Sequence, residues 1–219
     1  MIQSIRKKIP HEEFDYQTLV DCLKNYSRPR DKITDLLKTG DIVRIKKGLY
    51  LFGDEYRLRP YSREILSNLI YGPSYISLDY ALQYYGLIPE RVEAVTAVTT
   101  GRYHRFLTPV GLFIYNMIPL DAFSIGMDSV TVSDGRSFLI ATPEKALADK
   151  LYKDRGIGIR TQKDLRTYLE ENLRIEPAYL HKMKPAHLVE ISGRYRSRRV
   201  NLLSDLINRV GGETEKNHA

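Results

Sequence analysis

Within Phe14–Tyr26, Leu19, Val20 and Leu23 recur at one- and three-residue steps, so the spacing predicts a helix with a single apolar face. A short polar turn, Asn25–Ser27, follows it. A second helix is predicted from Pro29, with Ser27 or Arg28 as its cap, because a helix accepts proline in its first turn, where the N–H would be unpaired anyway. Ile33, Leu36 and Leu37 form the buried stripe of this helix, and Gly40 ends it in a position that favours left-handed backbone. The period then changes from helical to alternating. Val43 and Ile45 point one way and Arg44 and Lys46 the other, Lys47-Gly48 supplies a tight turn, and Leu49–Phe52 returns as the partner strand. Helix, turn, helix and hairpin is the order of a winged helix-turn-helix, predicted over 1–55.

The polar, proline-ended stretch Gly53–Ser62 supplies a linker, placed at 56–62. Beyond it a larger α/β domain with a mixed sheet is predicted over 63–212. Ser62–Gly72 reads as helical, and Ser74–Pro89 as a short strand, a Ser77 cap, a helix and a Gly86 stop. Glu93–Thr100 is β-branched and strand-like, as are Arg105–Ile118 and Ser129–Ala141. The last of these carries a Ser-Asp-Gly hairpin turn. Thr142 caps, and Pro143 opens, the helix Pro143–Asp154. From Thr161 onward the pattern is helical, and 213–219 is expected to be a disordered tail. The fold class is therefore mixed α/β (α+β), with a winged helix-turn-helix ahead of a larger lobe that ends in helices.

Composition narrows the function classes. The 219 residues carry 42% hydrophobic and 28% charged side chains, enough for a packed core. No apolar run approaches the roughly 18 residues of a membrane span, and the basic start lacks the apolar stretch of a secretory signal. A cytoplasmic location without membrane association is expected. The single Cys22 excludes an internal disulfide or a cysteine zinc site, and the five histidines show no ligand pairing, so no metal or cofactor is expected. The net charge of +7 and isoelectric point of 9.3 favour a polyanionic partner. Residues 1–60 hold 13 Lys and Arg against 9 Asp and Glu, and Gly193–Arg199 carries four Arg and no acid.

In a helix-turn-helix the second helix enters the major groove and its first residues touch base edges. Those residues here are Ser27, Arg28, Arg30 and Lys32, with Thr34 and Lys38 further along. Arginine suits guanine because its forked donors meet two acceptors at once. Arg44, Lys46 and Lys47 are expected on one surface of the wing, following the phosphate backbone. Against this, Asp31 and Asp35 face outward beside Lys38 and repel phosphate unless they serve the helix dipole or a cytosine amine. A winged helix also serves as a protein-interaction module.

Catalytic signatures are sparse. Tyr152–Arg160 has two glycines without phosphate-loop spacing, and no GxSxG occurs. A metal-dependent nuclease using Asp134, Glu144 and a nearby lysine is the alternative enzymatic reading. The stronger account makes Thr142-Pro143-Glu144 a helix start and Ala146, Leu147 and Leu151 a buried stripe, so a non-enzymatic protein is expected. The sixteen tyrosines, among them Tyr80 and Tyr84 on one helical face, plug a core more often than they stack on bases.

Four stretches occur together in a familiar order: "TGDIVRIKKGLYLF", "SYISLDYALQYYGLIPE", "VTAVTTGRYHRFLTPVGLFIYNMIP" and "IATPEKALADKLY". Over roughly Tyr16–Tyr152 the chain resembles the AbiEi family, antitoxins and transcriptional regulators of abortive-infection toxin–antitoxin systems. The resemblance implies a winged helix that binds inverted repeats in its own promoter, and an α/β domain that counters a nucleotidyltransferase toxin without requiring a stable complex. The family's DNA contacts would fall on Ser27, Arg28, Arg30, Lys32 and Thr34 in the helix and on Lys46 and Lys47 in the wing.

Overall fold

No element is expected before Phe14, yet Ile2, Ile5 and Ile9 are buried in the computed structural model, which describes residues 1–154, 156 and 158–216. They lie on or beside α1 (Ile2–Lys8), a basic helix whose apolar edge joins the first core. The chain continues through β1 (Glu13–Asp15), α2 (Tyr16–Cys22), α3 (Pro29–Thr39), β2 (Ile42–Lys46) and β3 (Leu49–Phe52). Asp15 starts α2 by accepting a hydrogen bond from the Thr18 amide at 2.7 Å. Gly40, at φ +77°, ends α3 as expected.

The three strands form an antiparallel sheet with β3 in the centre, in the order β1-β3-β2. All four residues of β3 are buried, because both faces of the sheet are covered. Tyr50 and Phe52 face the helices with Phe14 and Ile42, whereas Leu49 and Leu51 join Ile45 in the core of the rest of the chain. The strict alternation expected along β2 does not hold. Arg44 pairs with Tyr50 and Lys46 with Leu49, so Ile45 is an extra residue and the strand bulges there. The bulge turns Lys46 to the opposite face from Arg44, and the expected single basic surface of Arg44, Lys46 and Lys47 is not formed.

After a 3₁₀ turn at Asp54–Tyr56, α4 (Arg63–Ile70) opens the larger lobe. Its mixed sheet has six strands in the order β6-β7-β5-β4-β9-β8: β4 (Ser74–Ile76), β5 (Val95–Thr99), β6 (His104–Thr108), β7 (Gly111–Met117), β8 (Met127–Thr131) and β9 (Ser137–Ala141). The stretch around Arg105–Ile118 thus resolves into a hairpin, and the β8–β9 hairpin stands at the Ser-Asp-Gly turn. Every residue of β4 and β5 is buried, as in a sheet covered on both faces. α5 (Leu78–Tyr84) packs on β5, α6 (Leu120–Phe123) follows β7, and α7 (Pro143–Lys153) packs on α5. Then come α8 (Gln162–Thr167), α9 (Pro177–His181), α10 (Pro185–Tyr195) and α11 (Arg198–Lys216). The tail expected from 213 is helical in its backbone through Lys216, where α11, anchored by the buried Val200, Leu203, Leu206 and Ile207, continues through Gly211 and Gly212; 217–219 lie outside the described residues.

Two polar assemblies hold these parts. Between the lobes, Glu12 accepts from Arg6 at 2.8 Å and lies 3.6 Å from Arg59, Arg59 reaches Asp134 at 3.4 Å, and Arg136 bridges Asp134 and Glu13. Inside the larger lobe, Lys145 Nζ lies 2.8 Å from Asp149 Oδ1, both side chains fully buried. The Ser77 hydroxyl donates to Asp149 Oδ2 at 2.5 Å, and the Tyr195 hydroxyl bonds both members of the pair. Ser77 was expected to cap α5; its side chain goes to Asp149 instead. A buried carboxylate that loses its cation is strongly destabilising, whereas removing both charges is much less so. Lys145→Met is expected to cost about 3–5 kcal/mol. Lys145→Met/Asp149→Leu should cost less than the sum of the two single changes, measured by urea unfolding of the full chain.

Candidate nucleic-acid interface

The predicted contact residues are brought only partly together. Arg28 is the N-cap of α3 and makes no side-chain capping bond, and Pro29 holds the first helical position. The amides of this first turn therefore face outward with Ser27, Arg28 and Arg30, all exposed. A hollow of about 500 Å³ lies between the starts of α2 and α3, walled by Tyr16, Val20, Ser27, Arg28, Pro29, Arg30 and Asp31. Tyr16 and Val20 are additions that helical periodicity could not supply, because Val20 reads as part of the buried stripe. The signal for Tyr16 was Asp15-x-x-Thr18, a capping arrangement that puts it at the first position of α2.

The acids on the outer face have partners. Arg28 lies 3.9 Å from Asp31 and Lys32 lies 3.7 Å from Asp35, along the helix surface. With Arg28 at 83% and Asp31 at 66% exposure, the first pair is worth little and a phosphate can compete for the guanidinium. The Thr34 hydroxyl donates to the Arg30 carbonyl at 3.0 Å and keeps only its acceptor side outward. Lys38 stands exposed in the last turn, where a cation suits the helix dipole. Arg44 and Lys47 are exposed, but Lys46 donates to the Ile70 carbonyl of the larger lobe, and burial pushes its ammonium pKa down. Lys46 is not part of the outward surface.

The nuclease constellation is not assembled. Asp134 is held by Arg136 and Arg59, while Glu144 is buried in the first turn of α7 and accepts from the Lys184 amide at 2.9 Å. Among the described residues no group of three His, Cys, Asp or Glu could hold a metal ion. The Gly193–Arg199 cluster spans the end of α10 and the start of α11. Arg198 donates to the Arg160 carbonyl at 2.8 Å and Arg199 to the Asp154 and Tyr152 carbonyls, so these two guanidiniums tie chain segments together. Of the tyrosines, Tyr75 is buried and Tyr80 donates to Glu64; Tyr84 packs edge-on against Tyr85 and Phe138. Among the described residues no helix is long and apolar enough to cross a membrane.

No protein-family model matches the chain, and no curated protein matches it.

The wall formed by α2 depends on its cap. The bond from the Thr18 amide holds the Asp15 carboxyl below the usual carboxylate range. Asp15→Ala is expected to cost about 1 kcal/mol in thermal or urea unfolding at neutral pH. Since the folded-state pKa is the lower one, this contribution is complete above about pH 4 and disappears as pH falls through the folded value. The gap between Asp15→Ala and the parent chain should therefore close on acidification.

Proposed function

We propose that residues 1–55 act as a winged helix that binds duplex DNA, and that the protein is a non-enzymatic transcriptional repressor. The observation that carries this is the open amino end of α3: Ser27, Arg28 and Arg30 stand together, exposed, beside a hollow, and the N-cap residue makes no side-chain bond to the first-turn amides. Helix amides and a hydroxyl suit a phosphate, and an exposed guanidinium suits a guanine edge. The remaining contacts are fewer than the sequence implied. The wing is short, with Lys47 at its turn and Arg44 on its flank, and Lys46 supports the lobe contact instead.

The AbiEi-like motifs extend this proposal. They support a protein that represses its own operon at inverted repeats and also counters a nucleotidyltransferase toxin through the larger lobe, with no stable complex required. Repression would come from occlusion of the promoter, with phosphate contacts setting affinity and the first turn of α3 setting sequence.

Fluorescence anisotropy with a duplex from upstream of the protein's own gene, and with a random duplex, tests the reading. Arg30→Ala should weaken the operator complex by about 1–3 kcal/mol and the random complex less. Lys47→Ala should weaken both alike and flatten the salt dependence by about one counterion. Lys46→Ala should leave both affinities unchanged. Absence of binding to either duplex at low salt overturns the proposal. Co-expression with a neighbouring nucleotidyltransferase gene addresses the second half: growth should be restored equally by the parent chain and by Arg30→Ala.

A further inference from the structure

Glu144 is a buried carboxylate, 5% exposed, on the wall of a cavity of about 290 Å³ in the larger lobe. The other walls are Tyr85 after α5, Leu87, Pro143 at the start of α7, Tyr179 on α9, Lys182 and Met183. Part of the Glu144 charge is compensated locally: it sits in the first turn of α7, at the positive end of the helix, and its Oε1 accepts from the Lys184 amide. Among the described residues no salt bridge reaches it. A carboxylate taken out of water without a cation carries a large desolvation cost unless something supplies the opposite charge. The cavity also presents aromatic faces. Lys182, exposed on the same wall, holds its ammonium 5.2 Å from the Tyr179 ring centroid, turned onto that ring instead of into a salt bridge with Glu144. The Tyr85 hydroxyl is pushed up to about 12, first by burial and in smaller part by Asp128, Tyr84 and Glu144, so it stays a neutral donor on the wall.

We infer that this cavity binds a small organic cation, an ammonium or amidinium carried on a compact aromatic or aliphatic body. The head would pair with Glu144 and the body would lie among Tyr85, Leu87, Tyr179 and Met183. The volume suits a single ring with a short arm, not a dinucleotide or a lipid chain. This site is separate from the amino end of α3 and does not rest on the DNA reading.

Met183 is one of only four methionines and the one on the cavity wall, so its methyl resonance in the full chain, labelled with carbon-13 methyl methionine, reports occupancy. Benzylamine and benzamidine are the probes, with benzyl alcohol and benzoate as the neutral and anionic counterparts. A saturable Met183 shift is expected with the two cations. Benzyl alcohol should bind at least about tenfold more weakly, because a charge-assisted bond to a buried carboxylate is lost. Glu144→Gln should weaken benzylamine to a similar extent. If that variant fails to fold, Tyr179→Leu decides the matter, with an expected loss of roughly fivefold from the missing π face. Lys182→Ala should leave cation binding unchanged or tighter. No Met183 shift at millimolar benzylamine, equal binding of the neutral probe, or benzoate binding that vanishes in Lys182→Ala would each overturn the inference.

Discussion

Three distant parts of the larger lobe meet at one ion pair. Ser77 closes β4, Lys145 and Asp149 stand one turn apart on α7, and Tyr195 ends α10, so the pair joins the sheet to two helices remote in sequence. Neither charge reaches water, and each is tolerable only because the others saturate it. Lys145 also fills the space beside Gly126: a side chain at that glycine, which has φ +70°, would collide with the lysine stem. The position of α7 is thereby set to within a hydrogen-bond length, and with it Pro143 and Glu144 on the cavity wall.

The two lobes are coupled by a different balance of forces. Leu49, Leu51 and Ile45 contribute apolar contact, and the ring of Arg6, Glu12, Glu13, Arg59, Asp134 and Arg136 surrounds it with charges of both signs. Three arginines meet three acids, so the ring adds no net field of its own. The surplus positive charge is left to exposed groups such as Arg28, Arg30 and Lys47. A cation paired with an acid is cancelled at a distance, so any attraction the surface exerts on an anion comes from the exposed groups.

Much of the architecture was legible in the sequence where one local rule acted alone. The Pro29 start and Gly40 stop of α3, the Thr142-Pro143 start of α7 and the Ser-Asp-Gly hairpin depend on backbone chemistry within a few residues, and each stands where it was expected. What escaped depended on partners remote in sequence. α1 forms because Ile2, Ile5 and Ile9 find the core around Phe52, which no window around residue 5 contains. The bulge at Ile45 follows from burying both faces of β3, a demand invisible in an alternating pattern. Ser77 looked like a cap and bonds Asp149, 72 residues away, instead. Of the candidate contact residues, those in the first turn of α3 kept the exposure expected of them, and Lys46 lost it to the Ile70 carbonyl.

The sheet between the lobes has a consequence for the chain as it leaves the ribosome. Residues up to Phe52 can close around Phe14, Tyr50 and Leu36 as soon as they emerge, since that nucleus is contained within them. The opposite face, with Leu49 and Leu51, has its cover encoded later, in segments that include α4 and β4. For that interval a nascent domain displays a ready-made apolar surface. Translation speed and holdase chaperones, more than the final equilibrium, would then govern how much of the protein reaches its finished form.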